Sequence, residues 1–172
     1  MSANRSNIAW HLENQLLGQD SRAIGMIYEK MVTITAAELK LLKSVPKELV
    51  EAPGANKLIE LVGAVLFLDY GSETLSETGS DGSLAIEYDD GSGSVAATAW
   101  DTTAFIVTVV DTMEVVIPAL IGGVAASGNI NKNLVLINAG TDFGGNASGD
   151  TVVKVAISYR IHDFGGENPR FS

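Results

Sequence analysis

The sequence predicts a mainly β protein, an antiparallel β-sandwich or jelly-roll-like barrel with one short helix and an N-terminal arm. Short apolar and β-branched runs recur along the chain, notably Lys57 to Tyr70, SLAIEY at 83–88, NLVLIN at 133–138 and VVKVAISYRI at 152–161. Gly- and Ser-rich turns separate several of these runs, which is the pattern of an all-β domain. The last run alternates most cleanly. Val153, Val155, Ile157, Tyr159 and Ile161 share one face, with Lys154, Ser158 and Arg160 opposite, as in a half-exposed antiparallel strand.

Taken in order, residues 1–30 read as an arm and residues 31–172 as the β-rich domain. The arm is polar, with Asn4, Asn7, Asn14, Gln15 and Gln19, and carries a weak helical stripe of Ile8, Leu12 and Leu16 ending near Gly18. One or two helical turns are not stable alone. Ile8, Trp10, Leu12 and Leu16 are therefore the candidate partner-binding residues. Thr35-Ala-Ala-Glu38 is a capping-box sequence introducing a short helix through Lys43, closed by Pro46. Lys47 to Ala52 then reads as a strand and Pro53-Gly54 as a turn.

Lys57 to Tyr70 alternates imperfectly, which predicts a buried strand or one bulged at Gly63. Leu84, Ile86 and Tyr88 fall on one face of the next strand, and residues 90–94 form a loop. Phe105 to Val110 and Met113 to Ile117 read as two strands, or one bent strand, around Asp111-Thr112. A helix through Thr98 to Ile117 would oppose too many β-branched residues. A Gly-rich loop, Gly140 to Asp150, separates the last two strands.

A chain of 172 residues can bury a core without crosslinks. The absence of cysteine removes disulfides, thiolate metal sites and a cysteine nucleophile together. No run of eighteen apolar residues predicts a membrane helix, and the first residues lack the basic and apolar blocks of a signal peptide, so synthesis in a cytoplasm is expected. Between Lys57 and Lys132 the chain has no Lys or Arg but eleven acidic residues, against a total net charge of -10. Such a segment opposes nucleic-acid binding. It is either a solvated acidic face or a surface for a basic partner or a divalent ion, and Asp81, Glu87, Asp89 and Asp90 are the oxygen ligands a Ca²⁺ would use.

Chemistry-bearing motifs are sparse. The two histidines, His11 and His162, have no metal-ligand spacing around them. No nucleophile elbow, P-loop or dinucleotide fingerprint is present, so neither catalytic residues nor a cofactor is assigned. Trp100, Tyr70 and Tyr88 are the only candidates for a carbohydrate-binding platform. Asn146-Ala147-Ser148 reads as a loop.

Four stretches carry a resemblance: VTITAAELKLLKSVPKELVEAPGANKLIELVGAVLFLDYG, SLAIEYDDGSG, and the pair NLVLINAG and VVKVAISYRI. From Met31 to Asp163 they resemble small structural proteins of tailed-bacteriophage and prophage head modules. The resemblance implies a β-rich, non-enzymatic virion protein. It points to a capsid decoration or cement protein that stabilises the outer shell, bound to the major capsid protein as a homo-oligomer, with a trimer expected at threefold positions. A tail, baseplate or fibre-associated virion protein is the alternative, and a carbohydrate-binding module the third reading.

Overall fold

The computed structural model describes residues 26–77, 83–119 and 128–165. The candidate arm contacts Ile8, Trp10, Leu12 and Leu16 lie outside the described residues, as does Asp81 of the acidic cluster.

Two four-stranded antiparallel sheets pack face to face as a β-sandwich. The first sheet is built from β1 (Tyr28–Thr35), β3 (Lys57–Asp69), β7 (Thr112–Val116) and β10 (Val152–Asp163), in the order β1-β10-β3-β7. The second holds β2 (Lys47–Val50), β5 (Ser83–Tyr88), β6 (Val95–Asp101) and β8 (Leu134–Asn138), in the order β2-β8-β5-β6. A two-stranded ribbon pairs β4 (Leu75–Ser76) with β9 (Gly144–Gly145). Each large sheet keeps two edges among the described residues, so the architecture is a sandwich and not a closed barrel.

Strand β1 reaches three residues into the stretch read as an arm. It pairs with β10 over its whole length, from Tyr28 opposite Tyr159 to Thr35 opposite Val152. The Tyr28 and Tyr159 rings stack with centroids 5.5 Å apart, which extends the sheet to that end.

The capping box forms as its sequence indicates. Thr35 Oγ1 accepts from Glu38 N, and Glu38 Oε2 accepts from Thr35 N at 2.9 Å, opening helix α1 (Ala36–Lys40). The helix ends three residues before Lys43. Leu41 N and Leu42 N donate to Glu38 O and Leu39 O, a tightened last turn that drives Leu39 and Leu42 into the core.

The irregular alternation of β3 is a phase slip. Ser158 pairs with Gly63 but Tyr159 pairs with Leu61, so Val62 is the extra residue of a β-bulge beside Gly63. Ala64, Leu66 and Leu68 face inward on one side of the bulge, and Ile59 and Leu61 on the other. Without it, Glu60 would face the core and Ile59 the solvent.

Residues 105–110 are not a strand. Thr102 O accepts from both Phe105 N and Ile106 N at 2.8 Å, forming the short helix α2 (Thr103–Ile106). Phe105 and Ile106 are adjacent and both fully buried, which a helical turn under the core permits and an alternating strand does not. The missed strand is β6, whose Ala96 and Ala97 are buried but supply little β propensity.

One core joins the sheets. It includes Ile34, Ile59, Leu66 and Val155 from the first and Leu84, Ile86 and Leu136 from the second. Tyr88 Oη crosses between them and donates to Ile59 O at 2.6 Å. Strand β8 is buried on both faces: Asn138 N donates to Leu42 O, and Ile137 lies beneath the turn at Asp89–Gly91. A Cβ on Gly91, which has φ +81°, would come within 2.5 Å of Ile137 Cδ1.

Replacing Tyr88 by Phe removes the inter-sheet bond and strands the Ile59 carbonyl. Urea titration should show Tyr88→Phe to be less stable by about 1–3 kcal/mol with an unchanged denaturant slope.

Candidate interaction surface

Strand pairing fixes which side chains the first sheet turns outward. Met31, Ala156, Val65 and Val115 are register partners across all four strands, and Thr33, Lys154, Phe67 and Met113 form the next row. These rows lie opposite the core-facing residues Ile34, Val155, Leu66 and Val116, and the first of them is apolar throughout, while Thr33 and Lys154 interrupt the second. Met31 is 66% exposed, Val115 68% and Ile117 77%. An ordinary half-exposed antiparallel sheet carries polar residues there.

The face contains a groove of about 580 Å³. Its floor is made of the small residues Gly63, Ala156 and Ser158, with Met31 on the β1 side and Val115 and Ile117 on the β7 side. Small floor residues between larger walls are what make it concave. Glu29 and Lys30 stand at the β1 wall.

Beyond the groove, exposed apolar side chains concentrate in one stretch. Val109, Val110, Met113, Val115 and Ile117 are all exposed, and together they line the β7 edge and the turn leading into it. β7 pairs only with β3 among the described residues. The other three edge strands carry exposed or part-exposed charge at their edges, Glu29 and Lys30 on β1, Lys47 and Glu48 on β2 and Asp101 on β6. Charge is a common protection of a sheet edge. β7 has one charged residue, Glu114, and pairing places it on the core-facing side of the strand, opposite Leu66.

Glu114 is the anomalous group of this edge. Burial pushes its carboxyl above the ordinary value of 4.5, the neighbouring Trp100 indole N–H works against that rise, and the charge on Asp101 adds to it. One of its oxygens and Trp100 Nε1 are buried near one another, close enough for the indole to favour the carboxylate but short of good hydrogen-bond geometry.

Elsewhere most polar groups pair among themselves, although Arg160 Nε and Asn129 Oδ1 are also buried without a partner among the described residues. Asp89 forms an ion pair with Lys132 at 2.7 Å, and Asp90 accepts from Asn133 Nδ2 at 2.8 Å. Glu60 accepts from His162 Nε2 at 2.7 Å and lies 3.4 Å from Arg160. The His162 bond first, with the Arg160 charge behind it, holds the Glu60 carboxyl below its ordinary value. No group of three or more His, Asp or Glu residues converges as a metal site among the described residues. No described helix is long and apolar enough to cross a membrane.

Of the sequence candidates for a sugar platform, Tyr88 is buried and spends its hydroxyl on Ile59, while Trp100 packs against the core. Asn146-Ala147-Ser148 is an exposed turn in which Asn146 Oδ1 accepts from Ser148 N at 2.9 Å. The groove and the β7 strip escaped the sequence reading. Their residues belong to four separate strands, and only the register assembles them. Comparison with protein-family models, curated proteins and solved structures returns no match to this chain.

The position of Glu114 has a pH consequence. Its folded carboxyl holds a proton to higher pH than the unfolded one, so its stabilising contribution is complete below about 4.5 and is lost as pH rises through the folded value. Glu114→Gln should therefore gain melting temperature relative to the parent on going from pH 4 to pH 7. A constant difference across that range would show that Glu114 is not desolvated.

Proposed function

We propose that this chain is a non-enzymatic structural protein of a tailed-bacteriophage particle, a capsid decoration protein that works by packing against copies of itself and against the major capsid protein. The observation that carries the reading is the exposed apolar strip along the weakly protected β7 edge. It belongs to association rather than chemistry. Contiguous exposed apolar surface on an otherwise well-packed domain marks an interaction site. The resemblance of Met31 to Asp163 to phage head-module proteins supplies the setting.

Magnitudes favour a closed ring over a simple pair. Full burial of a Val, Ile or Met side chain is worth about 1.5–3 kcal/mol. Three or four such residues yield a gross gain of roughly 5–10 kcal/mol, whereas association costs roughly 4–15 kcal/mol. One contact of this kind is marginal. A cyclic trimer closes three contacts for two association events, and its symmetry matches a local threefold of a shell. The acidic residues of the middle segment, such as Asp90 and Asp111, are exposed and keep the assembled surface soluble.

Light scattering should report an oligomer at micromolar concentration, with three copies expected. Val109→Lys combined with Met113→Lys should shift it to a monomer while leaving the far-ultraviolet circular dichroism unchanged, because both side chains are exposed. Quantitative mass spectrometry of purified particles should then find hundreds of copies of the parent chain per virion. A monomeric parent chain that is absent from particles would overturn the reading.

A further inference from the structure

We infer that the groove on the outer face of the first sheet is the docking site of the chain's own N-terminal segment, residues 1–25. The argument begins with where that segment is attached. It joins the described domain at Met26, two residues before β1, and Glu29, Lys30 and Met31 of β1 form one wall of the groove. The segment thus leaves the domain at the rim of an apolar concavity.

Reach is not a constraint. Trp10 lies sixteen residues upstream of Met26, which spans about 24 Å as a helix and about 50 Å when extended. The groove crosses four strands, roughly 14 Å at the usual spacing. Both ends of the site are within range of Trp10, and a tethered partner acts at millimolar effective concentration.

Chemistry matches as well. The segment carries Ile8, Trp10, Leu12 and Leu16, whereas its arginines, Arg5 and Arg22, are balanced by Glu13 and Asp20. The groove offers aliphatic walls of Met31, Val65, Val115 and Ile117 over a floor of Gly63 and Ala156. Its volume is in the range of clefts that bind small molecules, and its polar lining, Glu29, Lys30 and Ser158, is few against the aliphatic residues around it. An apolar peptide with a large flat side chain suits a wide shallow groove with a floor of small residues. Occupation would cover the groove and leave the Val109 to Met113 part of the β7 strip for contacts between copies. Val115 and Ile117 belong to both surfaces, so the arm's contact is tested through Met31 and Ile117 and the contact between copies through Val109 and Met113.

The test is site-specific photo-crosslinking in the full-length chain, with a photoreactive phenylalanine analogue at position 10. Irradiation at low micromolar concentration should give an intramolecular adduct, and peptide mapping should place it on Met31, residues 62–65 or residues 115–117. Adding Met31→Lys and Ile117→Lys, both at exposed positions, should reduce the adduct at least tenfold without changing circular dichroism. An adduct on any other surface, an adduct between two chains, or one insensitive to these lysines would each overturn the inference. An oligomer by light scattering with the adduct mapped elsewhere would leave the proposed function standing while removing this one.

Discussion

The pairing of β3 with β10 governs this molecule. It runs from Val152 opposite Asp69 to Asp163 opposite Lys57 and forms the centre of the first sheet. Every other feature of that sheet hangs on it. β1 adds to the far side of β10 and β7 to the far side of β3, and the inward row Val153, Val155 and Ile157 supplies the floor on which the second sheet packs. Such long antiparallel pairs have a fixed register because a slip of one residue would exchange their faces. Here a slip of β10 by one residue against β3 would turn Lys154, Ser158 and Arg160 toward the core.

The bulge at Val62 divides this pair into two regions of different character. On the Asp69 side the outward residues are Gly63, Val65 and Phe67, facing Ser158, Ala156 and Lys154. Past the bulge they are Glu60 and Leu58, facing Arg160 and His162. One strand pair thus presents an apolar groove and an ion-pair cluster on the same face, about five residues apart along β3. Ser158 and Gly63 mark the seam. Lys154 closes the opposite end of the apolar region, with its ammonium 5.9 Å from the Phe67 ring centre and paired with Asp69 at 2.6 Å. Polar groups at both ends confine the groove, and its position is a consequence of one inserted residue.

Much of the β framework was legible, because alternation and capping are local. The capping box, SLAIEY, NLVLIN and the final strand each announce themselves in fewer than a dozen residues, and the phase slip in β3 is visible as Ile59 and Leu61 on one parity against Ala64, Leu66 and Leu68 on the other. The errors share a different cause. FIVTVV at 105–110 has strong β propensity, but the core required Phe105 and Ile106 side by side, and tertiary packing overrode propensity. Val95 to Asp101 has weak propensity and still forms a strand, because β5 offers it partners from Ser83 to Glu87. The interaction surface was least legible of all. No window of sequence holds Met31, Gly63, Val115 and Ala156 together.

An apolar patch on the outer face of a sheet whose inner face is already packed is not required by the core of one domain. The inner face already has its partner in the second sheet, so an outer row of Met31, Val65 and Val115 contributes nothing to folding that polar residues would not supply more safely. Charged residues at these positions would keep the chain soluble and cost the fold little. Their absence is informative because the same chain places charge freely elsewhere, with Glu29, Lys30 and Lys154 bordering the apolar rows. The outer row of Met31, Val65 and Val115 is therefore apolar surface distinct from the core, exposed where a polar row would serve the fold as well.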